Sequence, residues 1–417
     1  MAMSPHEMEP LLPEFATLGA KAEPIVAQTQ DLGRHVHPDT LSAVAELLRT
    51  INCYYSNLIE GHDTHPVEIE RALRSDLSKN VALRNLQIEA RAHIEVQKLI
   101  ERRLDADATE NVCGVEFLRW IHHEFYVRLP NEMRVVRHPT EHIERVVEPG
   151  ELREYGVRVG DHVPPVPNEL PGLLQRFAAA YNPELFIGNT DRALAVVGAA
   201  HHRLLWIHPF GDGNGRVTRL MTDAYLRRLR IGGHGLWTVS RGLARARSRY
   251  RQALAAADHP RWNDLDGRGA LSARALNEFC EFFLDVCADQ VGYMGGLLAI
   301  DGLLDRVSQY GRLREQGIGA PEQSAFAAGN SSRTTSARGR KPISWRPEGT
   351  RLLRAIVAEG PLSRADARQI VGLPDRTGRR LVAELIAEGF LTSVNHRSTL
   401  TLRFPAHAVP YLFPGLV

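Results

Sequence analysis

Apolar residues recur at helical spacing through most of this chain. Leu41, Val44, Leu47, Leu48, Ile51 and Tyr55 fall on one face of a helix predicted over residues 41–57. Leu86, Ile88, Ala92, Ile94, Val96, Leu99 and Ile100 give a similar helical period over residues 83–100. The pattern predicts further helices over residues 115–127, 190–207, 217–229, 245–257 and 271–298. Gly61 follows Glu60 as an end signal for the first of these, since glycine commonly sits just past a helix. Residues 151–172 break the pattern. The stretch from Tyr155 to Gly160 alternates at period two, and Pro164, Pro165, Pro167 and Pro171 follow it. Prolines are excluded from helix interiors and central strands, so the segment reads as a short hairpin or an extended flap. Residues 316–344 have a linker composition, rich in small and polar residues. Beyond them, three short helices are predicted over 350–357, 364–371 and 376–389, followed by strand-like alternation over 394–404. Three helices and a hairpin form a winged-helix pattern, with residues 376–388 in the recognition-helix position. The fold class read from these patterns is mainly α.

Composition narrows the classes. A length of 417 residues exceeds one ordinary domain, and 43% hydrophobic with 24% charged residues suits a globular chain. No apolar run approaches the ~20 residues of a membrane helix, so no membrane partner is expected. The first ten residues carry no apolar signal core, so a secretory leader is not expected either. Four cysteines, Cys53, Cys113, Cys280 and Cys287, form no CxxC pair. A reducing, cytoplasmic setting fits. The net charge is only +2, and 47 of the 51 basic residues are arginine. An isolated arginine therefore says little.

One string stands apart: His208-Pro-Phe-Gly-Asp212-Gly213-Asn214-Gly215-Arg216-Val-Thr-Arg219. It lies between two predicted helices, and Pro209 stops the first from continuing. A glycine-rich turn that opens a helix aims free N–H groups at one point, which makes an anion site. Arg216 and Arg219, three apart on the first turn, can both reach that anion. Asp212 offers a hard oxygen to Mg²⁺, the usual companion of nucleotide phosphates. His208 can take up a proton near neutral pH. The string lacks the spacing of the commoner phosphate loops GxxxxGK[ST] and GxGxxG.

This string resembles the signature of the Fic family, HPFx[D/E]GNGRxxR, at every defined position. The helix before it, containing Ala199-Ala-His-His-Arg-Leu-Leu-Trp-Ile, is similar as well, and so is the stretch Asn263-Asp-Leu-Asp-Gly-Arg-Gly that follows the core. The proline-rich residues 163–174 resemble the family's target-clamping segment. The resemblance divides the chain into an N-terminal helical region at 1–110, a Fic catalytic core at 111–310 with its flap, a linker at 311–345 and a winged-helix domain at 346–417. It implies transfer of AMP from ATP to a Ser, Thr or Tyr hydroxyl of a target protein. His208 would be the general base, and Asp212 the Mg²⁺ ligand. Gly213, Asn214 and Gly215 would stabilise the α-phosphoryl oxygens, with Arg216 on the phosphates and Arg219 on the γ-phosphate. Phe210 would be a buried anchor. Tyr250 falls where relatives carry a tyrosine pair near the adenine, though its neighbour here is Arg251. The Doc branch, which phosphorylates its targets, has Lys in place of Gly215, so this chain resembles the AMP-transferring branch.

A second motif, Ser56-Asn-Leu-Ile-Glu60-Gly61, resembles the family's inhibitory sequence [S/T]xxxE[G/N]. Ser56 and Glu60 share a helix face. The resemblance implies that Glu60 pairs with Arg219 and fills the γ-phosphate position. Two alternatives stay open: a phosphodiesterase that uses Glu60 to remove AMP, and a winged-helix DNA-binding regulator whose core only senses nucleotide. Pairing of two copies is an expectation by analogy with relatives. His122-His123-Glu124 and His201-His202 are read as core or surface histidines rather than metal ligands, because helix neighbours point ~100° apart. The run Arg241, Arg245, Arg247, Arg249 and Arg251 is read as a solvated face. Cys280 and Cys287 are read as buried thiols. Residues 341–417 hold eleven basic against six acidic residues. That excess suits nucleic acid or protein, with Arg376, Thr377, Arg379 and Arg380 as the contact candidates.

Overall fold

The computed structural model describes residues 5–137, 144–321, 345–395 and 398–417. The expected linker falls largely on residues outside that set. The chain is mainly helical. In order it forms α1 (Phe15–Asp31), α2 (Pro38–Glu60), α3 (Pro66–Leu73), α4 (Val81–Ala106) and α5 (Val115–Tyr126). A strand pair β1 (Val135–Arg137) and β2 (Glu144–Val146) follows. Then come α6 (Leu170–Ala180), α7 (Thr190–Ile207), α8 (Asn214–Arg228), α9 (Val239–Arg245), α10 (Arg247–Asp258), α11 (Ala273–Leu297) and α12 (Ile300–Glu315). The tail adds α13 (Pro347–Glu359), α14 (Arg364–Val371), α15 (Asp375–Glu388), β3 (Leu391–Thr392), β4 (Thr401–Leu402) and the short α16 (Val409–Leu412).

The described residues divide into two compact units, and neither is one continuous stretch. The first comprises Met1–Gln30, Asn52–Thr64 and Ser75–Gly292, the second Asp31–Ile51, His65–Arg74 and Tyr293–Val417. These interleaved units cut across the consecutive segments drawn from the sequence.

In the first unit α7 is the central element. Leu194, Val196, Val197, Ala200, Leu204 and Ile207 are all buried, on more than one face. A helix apolar on all sides belongs in a core. It packs on α8, α6 and α10, while α4 and α5 pack on α8. The Asn80 side chain caps α4 by accepting from the Leu83 amide at 3.1 Å. The second unit buries Leu352, Leu353, Ile356 and Val357 of α13, and α12 packs against that helix. The Arg314 guanidinium donates to both carboxylate oxygens of Glu388, at 2.7 and 2.8 Å, inside it. β3 and β4 pair antiparallel with Leu391 opposite Leu402; the tail holds three helices and a strand pair, but β3 precedes residue 394, where the strand-like alternation was expected to begin.

Four expectations need correction. The β-hairpin lies at 135–146, with Val135 opposite Val146, and not within residues 151–172. The alternating stretch there forms only one isolated bridge, Val159 to His162. Pro171 does not bar a helix: it occupies the first turn of α6, where the missing N–H would be unsatisfied anyway. The helix expected over 245–257 is broken at Ala246 into α9 and α10, and α12 runs through Glu315 into the start of the expected linker. Among the described residues no single helix is long and apolar enough to cross a membrane.

Candidate active site

α7 ends at Ile207, and His208 turns the chain with a left-handed backbone, φ 50° and ψ 60°. That conformation costs a non-glycine residue roughly 1–2 kcal/mol, so the surroundings must enforce it. Pro209 follows, and the Arg153 amide donates to its carbonyl at 3.0 Å. Phe210 is buried as expected and stacks on His122 with centroids 4.1 Å apart. Asn214 closes the turn. Its Oδ1 accepts from the Phe210 amide and its Nδ2 donates to the Phe210 carbonyl, both at 2.9 Å. The Asn214 side chain is thus engaged with the turn's own backbone. Gly213, with φ 77°, is the residue before α8 begins. A Cβ there would meet the Tyr126 ring at 2.7 Å, so glycine is required twice over.

The His208 imidazole is partly exposed, with Nδ1 3.3 Å from the Leu205 carbonyl. The contact suits the Nδ1–H tautomer, which leaves Nε2 as the acceptor. Burial holds its pKa down to about 4; the Leu205 contact works against this, and the Arg153 charge works with it. The ring is therefore neutral at pH 7.

Around Asp212 lies a buried charged network. Tyr126 donates to Asp212 Oδ2 at 2.6 Å, and Arg216 donates to the same oxygen at 3.1 Å. Arg216 also donates to Glu89 at 2.6 Å and lies over the Phe125 ring. Glu89 meets His62 Nδ1 at 2.8 Å. Burial alone would raise the Asp212 pKa, but the Arg216 charge and the Tyr126 hydrogen bond overcome it and hold the carboxyl below its ordinary value. Asp212 stays 47% exposed at its side chain.

Arg219 is 3% exposed and faces the C-terminal turns of α2. Its Nε donates to Ser56 Oγ at 2.9 Å, its Nη2 to the Ser56 carbonyl at 3.1 Å and to Glu60 Oε1 at 2.5 Å. Arg219 outweighs burial and holds the Glu60 carboxyl below its ordinary pKa. A Cβ on Gly215 would collide with that same Oε1. The Glu60 carboxylate thus sits on the opening turn of α8, where backbone amides face an anion. Gly61, with φ 96°, ends α2 just beyond.

Tyr250 lies beside Arg219, close enough for its hydroxyl to hydrogen-bond that guanidinium. It is buried, with its hydroxyl 2.7 Å from His201 Nε2. His122, His201 and His202 are all buried, and the four cysteines are buried free thiols. Of the basic run, Arg247 donates to the Ile59 carbonyl at 2.9 Å and Arg241 to Gln290 at 3.0 Å, so these two are not simply solvated. In the tail, Arg379 and Arg380 pair with Asp375 and Glu384 of their own helix.

Sequence reasoning missed Glu89, Tyr126 and Arg153. Glu89 and His93, polar residues four apart on a largely buried helix face, were a usable signal. Nothing local marks Tyr126 or Arg153.

A neutral imidazole, an ionised carboxylate and two arginines gather around a glycine turn that opens a helix, an arrangement with the chemistry to hold a phosphate ester. The comparisons agree with that reading. Residues 115–226 match the model of the Fic/DOC family. A Protein adenylyltransferase Fic of Drosophila mojavensis is 29% identical over 196 residues, covering 46% of this chain and 36% of that one. Its namesake from Drosophila grimshawi is 30% identical over 213 residues, covering 49% and 41%. The chain thus spans under half the length of these curated relatives. A Fic family protein from Desulfovibrio desulfuricans G20 aligns over 96% of this chain and 98% of its own, at 18% identity and TM-score 0.47.

Proposed function

We propose that this protein is an adenylyltransferase that moves AMP from ATP to a hydroxyl side chain of a target protein, and that Glu60 holds it in check. The observation that carries the reading is the Glu60–Arg219 ion pair lying against Gly215 at the start of α8. An internal carboxylate fills the place an anion would take.

The chemistry follows from the residues. The target oxygen attacks the α-phosphorus of ATP and forms a new O–P bond. The bond from that phosphorus to the α–β bridging oxygen breaks, and pyrophosphate leaves. His208 Nε2 accepts the hydroxyl proton, which its neutral state allows. The backbone amides that open α8 face the charge developing on the phosphoryl oxygens. Arg216, fixed by Glu89 and Asp212, adds positive charge without having to move. Arg219 would meet the γ-phosphate once Glu60 departs. With Glu60 in place, the triphosphate cannot lie along the helix start in the orientation in-line attack needs.

The Asp212 carboxylate fits Mg²⁺. It is ionised, half exposed and offers hard oxygen, and Mg²⁺ is commonly held by one or two carboxylates together with substrate phosphates. Such an ion would neutralise phosphate charge. The tail's three helices and strand pair support a winged-helix reading, with target docking as its role.

Intact mass after incubation with ATP and Mg²⁺ tests the proposal. Glu60→Gly protein should gain AMP where wild type gains little, and adding His208→Ala should abolish the gain. No AMP on Glu60→Gly would overturn it. Release of AMP from a modified target by wild type, lost in Glu60→Ala, would favour the reverse reaction.

A further inference from the structure

We infer that Arg153 is a positioning residue for the His208 base, and that it joins the catalytic turn to the extended segment 155–165. This rests on the function proposed above. Arg153 is 4% exposed, and among the described residues its guanidinium hydrogen-bonds to backbone carbonyls alone. Nε donates to His208 O at 2.7 Å, Nη1 to Tyr155 O at 3.0 Å, and Nη2 to Pro165 O at 2.5 Å and Ile207 O at 3.4 Å. Its own amide donates to Pro209 O at 3.0 Å. Three of these five acceptors belong to Ile207, His208 and Pro209, the residues that turn the chain.

Two physical points give the arrangement meaning. First, a left-handed histidine persists only where its surroundings enforce it. The Arg153 contact to the His208 carbonyl fixes the peptide that sets ψ of that residue. Second, a buried guanidinium with no carboxylate beside it is a costly way to satisfy carbonyls. Burial pulls its pKa down to about 10, against the opposing influence of Tyr155, so it remains charged. A planar fork can reach acceptors on two separate segments at once, which a lysine ammonium cannot do with the same reach. Tyr155 and Pro165 bracket the irregular stretch that carries Val159, His162 and Val163, and Val163 is 65% exposed. A displacement of that stretch would therefore be transmitted to the base through one side chain.

The test uses full-length protein in the Glu60→Gly background, with Arg153→Lys and Arg153→Met added. The expected result is a fall of about ten- to a hundredfold in kcat for AMP transfer, the scale of a small misplacement of a catalytic group. The KM for ATP should stay within about twofold, because the amides of α8 and Arg216 are untouched. Lys should retain more activity than Met. Amide exchange should quicken in residues 155–165 and 205–211 and stay unchanged in α8. A kcat within about twofold of the parent in Arg153→Lys, or a KM that rises in step with the loss, overturns the inference. If Arg153→Met does not fold, Arg153→Lys decides alone. If the Glu60→Gly parent transfers no AMP, the function proposed above fails; unchanged exchange at 205–211 in Arg153→Lys then overturns this inference separately.

Discussion

At the scale of single residues, His208 shows how burial sets chemistry. Its pKa of about 4 lies below the ordinary histidine value of about 6.5, and burial is the main cause. On the proposed function, only the neutral ring could take a proton from the target. Because the pKa is lowered, the neutral form persists until pH falls toward 4. Transfer by Glu60→Gly protein should therefore stay level from about pH 8 down to about pH 6 and fall well below that. An inflection near pH 6.5 in single-turnover rates would show that the ring is not depressed in the working site. Gly213 makes a second residue-scale case. At φ 77° beside Tyr126, Gly213→Ala must shift both backbone and ring. It should lower stability by more than about 1 kcal/mol in a denaturant melt. The glycines and His208 were legible in the sequence because their spacing is local. Arg153 and Tyr126 were not, since each acts across 55 and 86 positions of chain, and spacing carries no record of such pairings.

Among elements, the C-terminal half of α2 is tied to α8 by more than the Glu60–Arg219 pair. One turn before Ser56, the Asn52 amide donates to Asp223 Oδ2 at 2.6 Å and to Gln97 at 3.1 Å, while its carbonyl accepts from Thr238 at 2.6 Å. Asp223 lies one turn after Arg219, so two successive turns of α8 grip two successive turns of α2. Burial pushes the Asp223 carboxyl up to about 7, against the Asn52 hydrogen bond and the Arg219 charge. Its folded pKa thus exceeds the unfolded value of about 4. Between those values the folded protein holds more protons than the unfolded one, so stability falls as pH rises through the window and levels above about 7. Asp223→Asn should remove that slope. Its melting temperature should gain on wild type at about pH 8 relative to about pH 5, and an equal gap at both pH values would place the slope elsewhere. The Ser56/Glu60 face was readable, because residues four apart on a helix must share a side. The hairpin at 135–146 was not: its strands are three residues each, too short to display an alternation. Pro171 misled for a related reason, since proline both ends helices and begins them.

For the whole molecule, the interleaving of the two units governs which pieces can stand alone. Segments 31–51 and 65–74 cluster with 293–417 rather than with their sequence neighbours. Thr40 Oγ1 donates to the Val357 carbonyl at 3.0 Å, and the Ala406 amide donates to Glu70 at 3.2 Å. Val44, Leu48 and Ile69 are buried within those early segments. A composition shift shows where a linker could lie, but it does not show that residues before it complete the core after it. The expected tail domain at 346–417 is therefore short of partners when cut out, so its binding to nucleic acid is best measured in the full chain. A chain ending after Ala320 should show the same dependence from the other side. Residues 38–51 and 66–73 lose Val357, Ala406 and the rest of the tail, and their apolar faces meet water. Their amide exchange should accelerate by at least about tenfold, while α7 and the start of α8 stay protected, because their cover comes from α4, α5, α6 and α10. Unchanged exchange in 38–51 would mean that the tail contributes nothing to holding the first half of α2.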